Sequence, residues 1–266
     1  MRRVHAFELH ELSGCPDLFR RIATDYLRTV GTVFRAFEPI TPLLAGALAA
    51  SGHERVVDLC SGGGGPIVGL AESARERLGF APEVVLTDLH PNAAAFAWAK
   101  AAASVPVRAE LAGIDARAVP DRLKGVRTIF DAFHHFRPAD ARKILADAAA
   151  RRAPILIVEA TERSVAAVFG MLLFVPLLVL LLTPFVRPFS VGRLVFTYLL
   201  PIAVPLILFD GVVSCLRSYT LAELRALSDG LESGTYRFHS GTKRSRGQRL
   251  TYLLGCEGPL PEGTLA

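Results

Sequence analysis

Residues 56–70 read VVDLCSGGGGPIVGL, and no other stretch limits the fold of the chain so sharply. A short apolar run ends in an acid, Asp58. Four consecutive glycines follow, Gly62 to Gly65, and then residues that read as helix. Glycine admits positive φ and lets another group lie against bare backbone. Between a strand and a helix N-terminus, such a turn is built to hold an anionic or nucleotide-like ligand. Two common loops are excluded. No Gly-Lys-Ser/Thr is present, so this is not a Walker P-loop, and a G-x-G-x-x-G dinucleotide pattern would need Gly69 as its third glycine, while Asp58 precedes the loop.

From residue 55 onward, apolar runs of strand length alternate with helical segments. Residues 56–59 are followed by a helix over 66–78, and 83–87 by a helix over 92–102. After them come 107–111, 127–130, a helix over 139–151, and 154–159. Continuous apolar runs alternating with helices predict an α/β, doubly wound, mostly parallel sheet. Farther on, Thr220 caps a helix over 221–227. Residues 236–239 and 250–254 predict two strands joined by a basic loop over 243–249, an antiparallel pair that closes a seven-stranded Rossmann-like sheet. Upstream, Phe19, Ile22, Tyr26, Val30, Val33 and Phe37 recur at helical spacing and predict an amphipathic helix over 16–37. Thr41 as cap and Pro42 open a second helix that Gly52 ends. Tyr26 and Trp98 are expected in the core.

These motifs, in register, resemble the class I S-adenosylmethionine-dependent methyltransferases. Asp58-Leu59-Cys60-Ser61-Gly62-Gly63-Gly64 matches the family's first motif, with Cys60 where a glycine is usual. The resemblance implies that the Asp58 region and this loop hold the cofactor's amino-acid part, with Gly62 and Gly64 nearest to it. Val84-Val85-Leu86-Thr87-Asp88 is a strand ending in a carboxylate that can accept both ribose hydroxyls, and Leu89 begins the following turn. Gly113-Ile114-Asp115-Ala116 resembles the third motif, whose acid receives the adenine amino group. The fourth strand runs through Asp131 to the pair His134-His135, at the sheet edge where the methyl group should point. Asp131, His134 and His135 are therefore the catalytic candidates, with no metal ligand expected. The resemblance covers residues 55–159 and 219–255 and implies S-adenosyl-L-methionine as cofactor.

The rest of the chain is less ordinary. Hydrophobic residues make up 51% of it and the mean hydropathy is +0.37, with the excess concentrated in 165–216. No residue between Arg163 and Arg187 is charged. At ~1.5 Å per residue this stretch can reach about 33 Å, the thickness of a hydrocarbon core. The stretch 194–209 carries Pro201 and Pro205 and is a poor straight span. Both flanks belong to one sheet, so the chain crosses an even number of times or not at all. A two-pass hairpin would put Arg187 and Arg193 outside, against the positive-inside tendency, and a monotopic hairpin on the cytoplasmic face, with both arginines snorkelling to lipid phosphates, is the preferred expectation. It starts just after Glu159, beside the expected acceptor opening.

The net charge of +5 and pI near 9.3 fit a lipid surface better than nucleic acid, because no Lys/Arg run is interleaved with aromatics. Nucleic-acid methylation would also expect Asn/Asp-Pro-Pro-aromatic where Asp131-Ala132-Phe133 stands. Cys15, Cys60, Cys215 and Cys256 lack CxxC spacing, which argues against a zinc site and a disulfide framework. Without an apolar h-region at the start, a reducing cytoplasmic compartment is expected. The organisation expected is a helical cap (1–54), a cofactor-binding core (55–162), a membrane-associating insertion (163–217), and a helix with the closing hairpin (218–266). The expected function is methyl transfer to a hydrophobic or amphipathic small molecule, such as a lipid, isoprenoid or quinone-like compound, with membrane lipid as a further partner. The alternative is a non-catalytic cofactor-binding sensor or scaffold at the membrane.

Overall fold

A computed structural model describes residues 1–265. The first five strands are short and mostly apolar, each carrying at least one charged residue: β1 (Arg55–Asp58), β2 (Glu83–Leu86), β3 (Val107–Ala109), β4 (Val126–Phe130) and β5 (Ile155–Glu159). They run parallel, and the sheet order is β3-β2-β1-β4-β5-β7-β6. β7 (Gln248–Glu257) enters antiparallel between β5 and β6 (Tyr236–Ser245). This is the seven-stranded, doubly wound sheet expected from the alternation of elements.

Strand side chains alternate between two cores. Val56, Val84 and Leu156 meet Leu44 and Leu48 of α2 (Thr41–Ser51), Leu70 of α3 (Ile67–Leu78) and Phe96 of α4 (Ala93–Ala102). Val57, Ile129 and Ile157 face the other way, onto Ile144 of α5 (Pro138–Ala150) and Leu224 of α9 (Leu221–Ser228).

Three local expectations change. Helix α1 (Asp17–Val33) ends before residue 37 because Arg35 turns the chain at φ 47°, which lets Phe37 fold back onto Phe130, ring centroids 5.4 Å apart. Thr41 lies within the first turn of α2 and its buried hydroxyl makes no cap bond, whereas Gly52 does end the helix in the left-handed region at φ 65°. The basic stretch 243–249 is strand rather than loop. β6 and β7 pair as far as Ser245 and Gln248, leaving Arg246-Gly247 as a two-residue turn with both φ positive, the twist that suits a tight hairpin.

Between β5 and α9 lies the oily segment. Helix α6 (Val165–Leu182) runs on through one further turn, making a 21-residue rod of mean hydropathy 2.9, of which 6% of its most apolar window is buried. α7 (Val191–Leu194) and the turn after it meet α8 (Ala203–Arg217) at 88°. α6 and α8 pack side by side, and α1 lays Ile22, Ala23 and Tyr26 against Val179, Leu206 and Ile207.

Arg193 does not snorkel. It is buried, donates from Nη1 to the carbonyls of Val186 (3.1 Å) and Pro188 (3.0 Å), and pairs with Asp25 of α1 at 2.5 Å. Asp25 also accepts a bond from Asn92 Nδ2, at the start of α4 (3.3 Å). Arg193 thus fastens the hairpin to the protein, and of the two arginines only Arg187 is exposed.

Candidate functional site

In sheet order the neighbours of β1 are β2 and β4, so chain connections leave β1 in opposite directions and a crevice opens at its carboxyl end. A cavity of about 1030 Å³ occupies that edge. Its walls include Cys60, Ser61, Gly62 and Gly63 of the glycine loop, Asp88 and Leu89 after β2, and Asp115 and Ala116. Asp131 and His135 after β4 close one end, together with Glu8, His10 and Glu11 from the N-terminal segment and Ser214 of α8. Three residues expected at the site lie outside it. Asp58 and His134 are buried behind the wall, and Gly64 faces a separate cavity of about 520 Å³ beside Arg28 and Trp98.

The glycine loop is wound by repeated visits to positive φ. Cys60 (φ 59°), Gly62 (φ 53°), Gly64 (φ 100°) and Gly65 (φ 47°) all occupy the left-handed side. Gly63 is required for another reason: a methyl group there would sit 2.7 Å from the Thr24 carbonyl oxygen. The α1 backbone therefore comes closest at Gly63, where the helix roofs the loop. Asp58 holds the loop from beneath, accepting from Ser61 Oγ at 2.7 Å and Thr128 Oγ1 at 2.6 Å. Burial pushes its carboxyl up to about 7, against the pull of those two hydroxyls and helped by the charge of Asp88. Its part is to shape the turn rather than to touch a ligand.

Asp88 is held by two backbone N–H donors, Gly62 into Oδ2 and His90 into Oδ1, each at 2.8 Å. Each oxygen keeps a further lone pair toward the cavity wall it lines. Asp115 receives the Arg117 guanidinium at 2.7–3.1 Å, which holds its carboxyl below the usual range.

At the other end, Asp131 stands at φ 46°, a strained position for a residue other than glycine. Its Oδ1 accepts from the Ala160 N–H at 2.5 Å. Burial, and then the charge of Glu159, raise its carboxyl well above the ordinary value.

His134 is 1% exposed. Glu159 grips it twice, accepting from its backbone N–H at 3.0 Å and meeting ring Nδ1 at 2.6 Å. Burial alone would lower the imidazole's pKa, but Glu159 and Glu8 raise it to about 10. Buried and protonated, it is not placed to act as a base toward the cavity. His135 is lowered instead, by burial and the adjacent charge of His134, and its Nδ1 meets Glu11.

The residues that sequence reading missed are Glu8, His10, Glu11, Asp210 and Arg217. Arg217 is 2% exposed and clamps both oxygens of Glu11 at 2.6 and 2.9 Å. Asp210 accepts from the Leu9 N–H (2.6 Å) and meets His10 Nδ1 (2.9 Å). The signal available was the density of titratable groups in Glu8-Leu9-His10-Glu11, and an acid and an arginine at the polar end of an otherwise oily helix.

No protein-family model and no curated protein sequence matches the chain. Solved structures do. The plantazolicin methyltransferase BpumL in complex with SAH superposes with a TM-score of 0.52 at 14% identity, over 91% of this chain and 96% of that one. The chain shares its fold with that methyltransferase. Human N-acetylserotonin methyltransferase in complex with SAM gives 0.50 at 13% identity, over 90% of this chain and 56% of that one. A Rhodobacter sphaeroides protein described as a candidate Zn-dependent alcohol dehydrogenase gives 0.51 at 13%, over 91% and 98%. At such identities the likeness is one of fold, and function has to be argued from the site.

Proposed function

We propose that the protein is an S-adenosylmethionine-dependent methyltransferase, working at a membrane surface on a hydrophobic or amphipathic small molecule such as a lipid, isoprenoid or quinone-like compound. The observation that carries the reading is the cavity at the carboxyl edge of β1 and β4, walled by a glycine loop and by a carboxylate, Asp88, with lone pairs to spare. The donor set fits the cofactor: two adjacent acceptors for a ribose diol, backbone amides at the loop, and Asp115 farther along the same wall. Two structural neighbours are crystallised with SAM or SAH, which adds weight.

When bound, the cofactor supplies an electrophilic methyl group. The protein's share is to hold the acceptor in line and to receive its proton where it has one. Asp131 lines the cavity, and its raised pKa suits a carboxylate that takes a proton near neutral pH.

The membrane reading rests on α6. Phe169, Leu173, Phe174, Leu177 and Leu181 are all exposed along it. α6 contributes no residue to the cavity wall, so it is not a lid over the site; α8 reaches the wall only through Ser214. Calorimetric titration with S-adenosylmethionine, followed by mass spectrometry of lipid extract incubated with methyl-labelled cofactor, tests the reading. Tight cofactor binding and a labelled lipid-soluble product are expected. Binding without any labelled product would favour the sensor reading, and no binding would reject both.

A further inference from the structure

We infer that Glu8, His134 and His135 form a site for one divalent cation of the zinc class, set in the acceptor end of the cavity wall. The starting point is a buried ring nitrogen without a hydrogen bond. His134 is buried, yet its Nε2 makes no hydrogen bond. Glu8 Oε1 faces it at 3.4 Å, an ion-pair distance. Glu159 fixes the ring from the other side through Nδ1. A carboxylate on one imidazole nitrogen, with the other nitrogen facing a second carboxylate at more than hydrogen-bond length, becomes the arrangement that surrounds metal-bound histidines once the ring gives up a proton.

The spacing fits. Nitrogen and oxygen ligands at about 2.0–2.1 Å in a tetrahedral shell lie roughly 3.3–3.4 Å from one another. Glu8 Oε1 and His134 Nε2 already have that separation. His135 Nδ1 is 4.0 Å from the same oxygen, and one ligand atom from each of the three residues lies within 4.8 Å of the others. His135 now meets Glu11, but Arg217 holds both Glu11 oxygens, so Glu11 keeps a partner if His135 turns to a cation.

Charge points the same way. Arg217 comes within 3.3 Å of Glu8, yet it is matched by Glu11. Glu8 and Glu159 are buried carboxylates on either side of the His134 ring, and a divalent cation that displaces the ring's proton from Nε2 would supply the balancing charge. The neighbouring group of Glu8, His10 and Asp210 is explained locally, because Asp210 is satisfied by the Leu9 N–H and by His10. The nitrogen and oxygen donors favour zinc-like ions over calcium or magnesium. The cysteine spacing has no bearing, since no thiol takes part. Glu8 and His135 line the cavity, so the open coordination position faces it. On the methyltransferase reading, that position would receive an acceptor oxygen.

The test uses the full chain in detergent, stripped with a chelator and titrated with zinc chloride by calorimetry and with cobalt chloride by visible absorption, without cofactor. One equivalent and a tetrahedral cobalt spectrum are expected. His134→Gln and Glu8→Gln should each weaken zinc binding at least about a hundredfold, and Glu159→Gln about 10–100-fold through the ring it orients. His53→Gln, remote from the cluster, should leave the titration unchanged. Sub-stoichiometric binding, an octahedral spectrum, or undiminished affinity in both ligand variants would overturn the site. The cobalt spectrum needs no variant, so it decides the matter even if His134→Gln fails to fold. A separate S-adenosylmethionine titration keeps failure of the metal site distinct from failure of the methyltransferase reading.

Discussion

Two apolar runs follow one another in the chain and end in opposite surroundings. In β5, Ile155, Leu156, Ile157 and Val158 are each 0% exposed. In α6, a few residues later, only Val179 is buried. The strand cannot be left bare, because its backbone donors and acceptors need β4 and β7 on either side, and helices then cover both faces. The helix satisfies its own backbone, so its side chains can remain outside provided the surroundings are apolar. Composition is alike in the two segments; the source of the backbone hydrogen bonds is what separates them.

The largest effect should come from making the helix resemble an ordinary surface. Replacing Phe169, Leu173 and Leu177 together by Ser should cost about 1.5 kcal/mol of lipid partitioning for each side chain, roughly a thousandfold in all. Liposome co-sedimentation reads this, while thermal stability in detergent should hold, because the three side chains are mostly exposed. Equal pelleting of variant and parent would mean that α6 is covered by something other than lipid.

The next effect sits where the oily segment meets the core. Asp25→Asn would leave the Arg193 charge buried and unpaired, at a cost of about 3–5 kcal/mol in chemical denaturation. Arg193→Met in the same chain should recover much of that loss. The wild-type pair is itself an expensive one, since burial lifts Asp25 to about 6 despite the arginines around it. If the double variant is no better than the single, the pair is not what fastens the hairpin.

Within the sheet domain, Asp88→Ala should weaken S-adenosylmethionine binding by about 1.5–3 kcal/mol in calorimetry, the cost of losing a charged acceptor. An unchanged dissociation constant would move the ribose to another strand.

The last effect is a slope, spread over several pH units rather than lost in one step. The folded-state pKa of Asp58, about 7, lies above the ordinary value of 3.8. The folded state therefore holds its proton more tightly, and the resulting stability is full at low pH and is lost as pH rises from about 4 to 7. The stability of the parent relative to Asp58→Asn should fall by up to about 1.4 kcal/mol per pH unit across that window and level off above it. A flat difference would show that Asp58 is ionised throughout.

Much of the sheet was legible because each parallel strand is a short apolar run bounded by turn residues, a pattern that local chemistry enforces. The cavity wall from Cys60 to Gly63, with Asp88 and Asp115, could be found for the same reason: these residues sit one step past strand ends, where topology gathers them. The roles of Asp58 and His134 were not legible, because whether a strand-end group faces the crevice or the interior depends on partners far along the chain, Thr128 for one and Glu159 for the other. Arg193 misled for a related reason. An arginine between oily segments resembles a lipid anchor until Asp25, on a distant helix, is placed beside it. Glu8 and Glu11 were invisible as site residues because no local periodicity marks a segment whose contacts are all long-range.

The strand order also fixes a sequence of events during synthesis. β7 must slot between β5 and β6, but its residues follow α6 and α8 in the chain. As the chain emerges, the outer edge of β5 is therefore unpaired at the time the oily rod appears. A bare strand edge and an apolar helix are both prone to adhere to other chains. The nascent protein carries both at once, until the last hairpin arrives to close the sheet. Prompt capture of the rod would remove one hazard before the other can be resolved, and yield in cell-free translation should accordingly rise when lipid vesicles are present from the start rather than added after release.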